Sequence, residues 1–142
     1  APVSTEQVMH PSKYEAGERP LRVRVPRLGD ALPAGARPVE QGDFGEFDTE
    51  QLLREANGRA RAGRAAAGWG GGAFALWTLP GDESVLVLRW EWDSDRDARE
   101  AGAALRRTAA QLGGASAAGG RATALALAPS GAQALAERAA AP

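Results

Sequence analysis

The stretch from Ala73 to Trp92, AFALWTL-PGDE-SVLVLRWEW, decides the fold of this chain. Two apolar runs flank a Pro-Gly-Asp-Glu turn, an arrangement typical of a β-hairpin. Successive side chains of a strand point in opposite directions, so the second run has two distinct faces. One face carries Leu86, Leu88, Trp90 and Trp92, and the other carries Val85, Val87, Arg89 and Glu91. We therefore predict a hairpin over 73–79 and 84–92 with one face committed to the core.

A helix is predicted directly after the hairpin. Ser94 occupies the N-cap position, with Asp97 three residues later as in a capping box. Small and apolar residues then recur at helical spacing and form a narrow stripe suited to packing on a sheet: Ala98, Ala101, Leu105, Ala109 and Leu112. Gly113 and Gly114 end this helix, and residues 115–120 are predicted to form a flexible loop of small residues.

Further elements are predicted outward from this centre, and their order defines a fold class. They are a strand over 37–42, a helix capped by Asp48 or Thr49 that ends near Gly58, a helix over 59–67, a strand over 121–128 and a helix from a Ser130 cap to about Ala140. The order β-α-β-β-α-β followed by a helix indicates an α+β, ferredoxin-like antiparallel sheet with helices on one face. The other face is then open unless the N-terminal arm or another domain covers it.

Residues 1–36 are predicted to form an extended arm outside the α+β domain of residues 37–142. Prolines interrupt the arm too often for a long helix: Pro2, Pro11, Pro20, Pro26 and Pro33. Between two of them, Leu21 to Val25 alternates apolar and basic residues, which predicts a short edge strand. The chain begins at Ala1 without an initiator methionine, which indicates either a cut inside a longer polypeptide or a processed terminus.

Composition excludes several classes of function. The formal net charge is −1, which gives no electrostatic footprint for nucleic acid, and there is no cysteine for a disulfide, a thiol nucleophile or a metal site. His10 is the only histidine, so a zinc site with several histidines is impossible within the chain. No apolar run approaches the length that spans a bilayer, so no transmembrane segment is predicted. His10 itself fits a structural hydrogen bond better than a ligand role.

Three groups of charged residues fit structural or solvated roles better than metal binding, nucleic-acid binding or catalysis. Asp93, Asp95 and Asp97 have calcium-loop spacing, but alanine replaces the required glycine and glutamate, so they fit a helix N-terminus instead. The basic cluster of Arg59, Arg61 and Arg64 fits a solvated helix face, since no aromatic residues are interleaved with it. Four carboxylates are candidates for acid-base work, although nothing places two in one pocket: Glu83, Glu91, Asp93 and Glu100.

The run Gly68-Trp69-Gly70-Gly71-Gly72 does not fit a phosphate-binding loop. Such loops follow a strand and open a helix, whereas this run is predicted between a helix and a strand. We interpret it as a helix stop with glycines in left-handed conformations, and Trp69 as the apolar residue that locks it.

Four stretches resemble a family of actinobacterial, predicted zinc metallopeptidase-like proteins that carry an HExxH helix upstream. They are Ser4 to Tyr14 with Ala16 to Pro20, Gly45-Glu46-Phe47, Ala65 to Gly71, and Trp92 to Glu100. The resemblance covers most of residues 4–112. The chain lacks the HExxH motif, so no catalytic or metal-binding residue is carried over, and Gly72 stands where the family pattern has aspartate. The resemblance implies the C-terminal domain of such a protein.

Three hypotheses follow. The first, which rests mainly on the resemblance, is a non-catalytic accessory domain that docks on an upstream peptidase-like domain, in cis or in trans. The second is a small-molecule or peptide-binding module on the open sheet face, with Trp69, Trp77, Trp90, Trp92 and His10 as candidate binding residues. The third is an enzyme built on two of the four carboxylates. We predict no enzyme activity, no metal and no cofactor in this chain; a homodimer stays open, and the resemblance implies an extracytoplasmic location.

Overall fold

The computed structural model describes residues 9–10 and 19–142, and within them it shows one five-stranded antiparallel sheet and four α-helices. The Ser4 to Tyr14 stretch, apart from Met9 and His10, lies outside the described residues. The elements, in chain order, are β1 (Arg37–Asp43), α1 (Glu46–Asn57), α2 (Arg59–Ala66), β2 (Trp69–Thr78), β3 (Ser84–Trp92), α3 (Asp95–Leu112), β4 (Ala115–Gly119), β5 (Ala122–Leu127) and α4 (Ala132–Ala140), with a 3-10 turn at Gly29–Ala31.

The predicted hairpin is confirmed as β2 and β3, although β2 begins at Trp69 rather than at Ala73. Both faces of β3, not one, contribute to a core cluster. The register of the two strands places Leu76 opposite Leu86 and Trp77 opposite Val85, and the turn is closed by the Leu79 N–H donating to the Glu83 carbonyl oxygen. Asp82 in this turn has a positive φ of 65°. The hairpin forms because the Pro-Gly-Asp-Glu turn joins two runs whose apolar residues pair across the strands.

The strand order is β1-β2-β3-β5-β4, so the predicted ferredoxin-like topology is not confirmed. In a ferredoxin-like sheet the first strand lies beside the third. Here β1 pairs antiparallel with β2, and β5 occupies the free side of β3. The coarser prediction, an α+β chain with an antiparallel sheet, is confirmed.

Helices cover both sides of the sheet, so the prediction of helices on one face is wrong. We call the side of Leu88, Trp90 and Trp92 the tryptophan face; these residues share a core cluster with Leu53 of α1 and Leu105 of α3. We call the opposite side the alanine face. There Val85, Val87, Ala124 and Ala126 share a second cluster with Leu28 and with Leu135, Ala136, Ala139 and Ala140 of α4.

Of the helix N-caps predicted from the sequence, one is confirmed and the others are wrong. Ser94 caps α3 as predicted, because its hydroxyl oxygen accepts the Asp97 N–H at 3.1 Å. The caps predicted at Asp48 or Thr49 and at Ser130 are wrong, since α1 follows Gly45 and α4 follows Gly131. At the other end of α3, Leu112 is exposed rather than part of the buried stripe.

Two glycine- and alanine-rich segments are strands rather than a stop and a loop. Gly70, Gly71 and Gly72 lie inside β2 and are buried, and their φ angles are not positive, so the predicted left-handed helix stop is wrong. A Cβ at Gly72 would clash with the Phe44 carbonyl oxygen, and one at Gly71 with the Leu21 carbonyl oxygen. Residues 115–119, predicted as a loop, form β4 because they pair with β5.

Residues 21–32 run over the alanine face instead of forming the predicted edge strand. The Leu21 N–H donates to the Gly70 carbonyl oxygen at 2.7 Å, but residues 21–25 form no strand. Val23 and Leu28 are buried, while Arg22 and Arg24 are exposed. The alternation predicted for this segment is present only in part, since Leu21 is 52% exposed and Val25 is half-buried; the segment is held by side-chain packing on the sheet rather than by a hydrogen-bonded ladder.

Candidate functional site

Three of the four tryptophans proposed as binding residues lie in the core. Trp69, Trp90 and Trp92 are each less than 5% exposed. A buried indole N–H requires an acceptor. The acceptors are the Phe44 carbonyl oxygen for Trp69 at 3.1 Å, Thr49 Oγ1 for Trp90 at 2.9 Å and Thr123 Oγ1 for Trp92 at 2.9 Å. These rings hold the tryptophan face against α1 and α3 and present no exposed face on which a ligand could stack.

Trp77 differs from the other tryptophans because it is only half-buried and lies beside the edge of the sheet. It pairs with Pro38 of β1 and packs on the edge of the alanine-face cluster. Together with Val39, Gln41 and Leu76 it lines a shallow cleft of about 270 Å³ along β1. A molecule that binds in this cleft along β1 would therefore contact Trp77.

His10 contacts a buried carboxylate, in agreement with the structural role predicted for it. Its Nε2 lies 2.8 Å from Oε1 of Glu46, whose side chain is 1% exposed. Glu46 is the first residue of α1, where the helix dipole also favours a negative charge. The contact joins His10 to the start of α1. The sequence does not predict Glu46 as the partner of His10, because no local pattern identifies a contact between residues 36 positions apart.

The other charged candidates are spread over the surface. Within residues 9–10 and 19–142 no three histidine, aspartate or glutamate residues come together in a geometry that could hold a metal ion. Glu83, Asp93 and Glu100 are exposed, and Glu91 pairs with Arg89 at 3.1 Å. Asp95 pairs with Arg121, and Asp97 accepts the Ser94 hydroxyl at 2.6 Å. The positions of Asp95 and Asp97 in the first turn of α3 agree with the helix N-terminus interpretation.

The cluster of Arg59, Arg61 and Arg64 lies on the exposed side of α2, as a solvated helix face would. Arg89, by contrast, is largely buried on the alanine face. Its Nη1 donates to the carbonyl oxygens of Ala139 and Ala141, at 2.6 and 2.8 Å. A cation at a helix C-terminus satisfies carbonyl groups that have no partner within the helix. Arg89 thus joins α4 to the sheet.

β1 presents an uncovered surface at the edge of the sheet. Six of the seven residues of β1 are exposed, and Val39 is 56% exposed. On the alanine face, a cleft of about 460 Å³ separates β1 from the segment 22–25. Its lining includes Arg22, Arg24, Gln41 and Asp43. Sequence reasoning missed this cleft, since it requires the segment 21–25 to lie on the sheet beside β1.

No described helix combines the length and the apolarity needed to cross a bilayer.

The chain matches none of the curated proteins and none of the solved structures with which it was compared. One family model matches residues 33–139, from the segment before β1 to the last turn of α4. Because that match covers most of the chain, the protein belongs to the family described as Domain of unknown function (DUF8575).

Proposed function

We propose that this chain is a non-catalytic accessory domain that docks on a zinc metallopeptidase-like domain, in the same polypeptide or in a separate one. The observation that supports docking is the difference between the two edges of the sheet. At one edge, β4 packs against both α3 and α4. At the other edge, β1 pairs with β2 on one side and leaves its remaining surface exposed.

The features of β1 favour a specific protein partner over open-ended strand pairing. Free edge strands invite aggregation, and proteins protect them with proline, charges and bulges. β1 has all three: Pro38, the charged residues Arg37, Glu40 and Asp43, and a register shift between Pro38 and Glu40. Such a strand resists pairing with arbitrary chains. A partner that recognises the exposed Val39 and the two clefts beside β1 would still bind, through side chains.

The identity of the partner is proposed from the sequence resemblance. Proteins of the resembled family carry an HExxH helix that this chain lacks, so peptide-bond chemistry would belong to the partner domain. An extracytoplasmic location is part of the same proposal and can be checked by fractionating cells that express the full-length protein.

The test is a titration of this chain with a separately expressed HExxH-bearing domain, followed by calorimetry and tryptophan fluorescence. The buried tryptophans are fixed in the core, so a spectral change on binding should come from Trp77 and should vanish in Trp77→Phe. We expect Val39→Asp to weaken binding about tenfold or more, because it places a charge in an apolar contact.

Leu112→Asp is the matched control. Leu112 is also an exposed apolar residue, at 46%, but it lies at the end of α3 rather than on β1. We expect this variant to bind like the parent chain. Absence of binding up to about millimolar, about −4 kcal/mol, would refute docking on that domain. Equal weakening by both variants would refute the assignment to β1.

A second candidate function, a peptide-binding module, is supported by the 460 Å³ cleft beside β1. Pockets for small molecules are mostly lined by apolar and aromatic side chains. This cleft instead has two arginines, a glutamine and an aspartate in its lining, alongside Val23, Val25, Ala73 and Phe74. A polar, elongated ligand such as a peptide fits that lining better than a compact apolar molecule.

A further inference from the structure

The segment that forms one wall of this cleft is strongly basic. Residues 19–27, RPLRVRVPR, contain four arginines and no acidic residue. All four are exposed: Arg19, Arg22, Arg24 and Arg27. In the described part of the chain, ion pairs are made by other arginines, namely Arg89, Arg121 and Arg138. Among residues 9–10 and 19–142, the four arginines of this segment form no ion pair, so the segment is a concentration of positive charge on the surface that these residues present.

Two of these arginines line the cleft. Val23 is buried on the sheet, where it lies against Gly71, and its neighbours Arg22 and Arg24 are exposed on the side of the cleft. Residues at positions i and i+2 of an extended chain lie about 7 Å apart on the same side. Arg22 and Arg24 stand two positions apart and line the same cleft, so they can contact alternate side chains of a second extended chain.

The surrounding charges distinguish between kinds of anionic partner. Asp43 lines the same cleft, while Glu91 and Asp93 line the next one, beside Arg19 and Leu21. A uniformly anionic surface, such as a lipid membrane or a nucleic acid backbone, would meet these carboxylates as well as the arginines. A peptide can direct its own carboxylates toward Arg22 and Arg24 and place neutral residues elsewhere.

We infer that the cleft between the segment 22–25 and β1 binds an extended, acidic protein segment with carboxylates at alternate positions. The inference rests on the proposed docking function and names the chemistry of the partner. Forked guanidinium groups hold carboxylates through paired hydrogen bonds, which gives geometric selection in addition to charge attraction. Gln41 on the β1 side of the cleft supplies an amide that can bond to the backbone of the bound segment.

The experiment measures fluorescence anisotropy of two labelled short peptides with the same composition, using the complete chain. In one peptide glutamate and threonine alternate, and in the other the glutamates form a block. We expect the alternating peptide to bind more tightly at low salt, and its affinity to fall as salt is added. The variant Arg22→Gln/Arg24→Gln should bind it about fivefold to tenfold more weakly, since each exposed ion pair contributes little by itself.

The matched control is Arg106→Gln/Arg107→Gln, which removes the same charge from two exposed arginines of α3. It should leave the affinity for the alternating peptide unchanged. If both double variants bound the alternating peptide equally weakly, the effect would come from net charge alone, and the inference would be overturned. Equal binding of the two peptides would also overturn it, as would tighter, Arg22- and Arg24-dependent binding to phosphatidylserine vesicles or to DNA.

Failure here and failure of the proposed function can be told apart. If the peptides do not bind but the HExxH-bearing domain does, and Val39→Asp weakens that binding, the docking function stands and the acidic segment is refuted. If the alternating peptide binds but that domain does not, the acidic recognition stands and the identity of the partner domain is refuted.

Discussion

The tryptophan face and the alanine face of the sheet are packed in different ways. On the tryptophan face, large rings fill the space under three helices, and each of the three buried indole N–H groups has a polar partner. On the alanine face, α4 packs largely through small side chains against small residues of β5. The first face is stabilised by the area of a few large side chains, and the second by many small side chains packed around Leu28, Val85, Val87 and Leu135.

This difference predicts that the two faces lose unfolding free energy in response to opposite kinds of substitution. Removing atoms from a large buried side chain loses apolar burial and leaves a cavity. Adding atoms to a close-packed interface of small residues forces the layers apart. The tryptophan face should therefore be most sensitive to truncation, and the alanine face to enlargement.

The largest effect is expected for Trp90→Ala, at about 4 kcal/mol of unfolding free energy. Trp90 is fully buried, donates to Thr49 and meets the Phe44 ring edge-on at a centroid distance of 5.9 Å. Trp77→Ala, at the half-buried position, should cost about 1–2 kcal/mol. Urea denaturation followed by circular dichroism measures both, and Trp90→Phe substitutes if the alanine variant does not fold. Equal losses at the two positions would contradict the packing described for Trp90.

Enlargement on the alanine face should come next. Ala136→Leu adds three carbons at a fully buried position of α4, and we expect a loss of about 3 kcal/mol. Ala134→Leu makes the same change at an exposed position of the same helix and should stay within about 0.5 kcal/mol. Denaturation curves for the two variants give the comparison directly. A stabilised Ala136→Leu would mean that the alanine face contains unfilled space.

The polar partners on the tryptophan face can be tested with Thr123→Val. Valine keeps the shape of threonine but removes the hydroxyl that accepts the Trp92 N–H, and leaving that buried donor unsatisfied should cost about 2 kcal/mol. Thr78→Val, at an exposed strand position, is the control and should be nearly neutral. In the background Trp92→Phe, the cost of Thr123→Val should shrink, because the donor is gone. If the losses of unfolding free energy from Thr123→Val and Trp92→Phe were strictly additive in the double variant, the hydrogen bond would be excluded as the cause.

The smallest effect concerns the helix caps on the two faces. Ser94→Ala removes the hydroxyl that caps α3 on the tryptophan face, and we expect a loss of about 1 kcal/mol. Ser130→Ala, before α4 on the alanine face, should be neutral within about 0.5 kcal/mol, since Gly131 occupies the N-cap of that helix. Thermal unfolding at matched concentration ranks the two variants. A larger loss for Ser130→Ala would show that the serine supports α4 after all.

Sequence patterns predicted those elements whose signal is local. The alternation from Val85 to Trp92 predicts the correct face for each apolar side chain of β3, because strand geometry alone sets that period. The Ser94 cap marked the start of α3, because a cap involves residues three apart. Both features are decided by neighbours in the chain.

Patterns failed where small residues derive their structure from distant neighbours. Gly70 to Gly72 and Ala115 to Gly119 have weak preferences of their own, and they are strands because β3 and β5 pair with them. The glycines are required there for a reason that no pattern expresses: the Phe44 and Leu21 carbonyl oxygens occupy the space of a side chain.

The candidate site was anticipated only in part. The tryptophans are predicted as binding residues, but three of them are buried and donate to hydrogen-bond acceptors that lie 25 to 41 residues away. The cleft between the segment 22–25 and β1 joins residues some 20 positions apart, and neither stretch alone indicates a groove.

The sequence by itself determined the central hairpin, the capped α3 helix, the α+β class and the absence of any cysteine chemistry. Those follow from periodicity, caps and composition, which act over a few residues. Only the tertiary structure decided the strand order, the placement of α4 on the alanine face and the uncovered β1 edge. These depend on which small residues allow two backbones to approach, and that is a property of pairs of elements rather than of one stretch of chain.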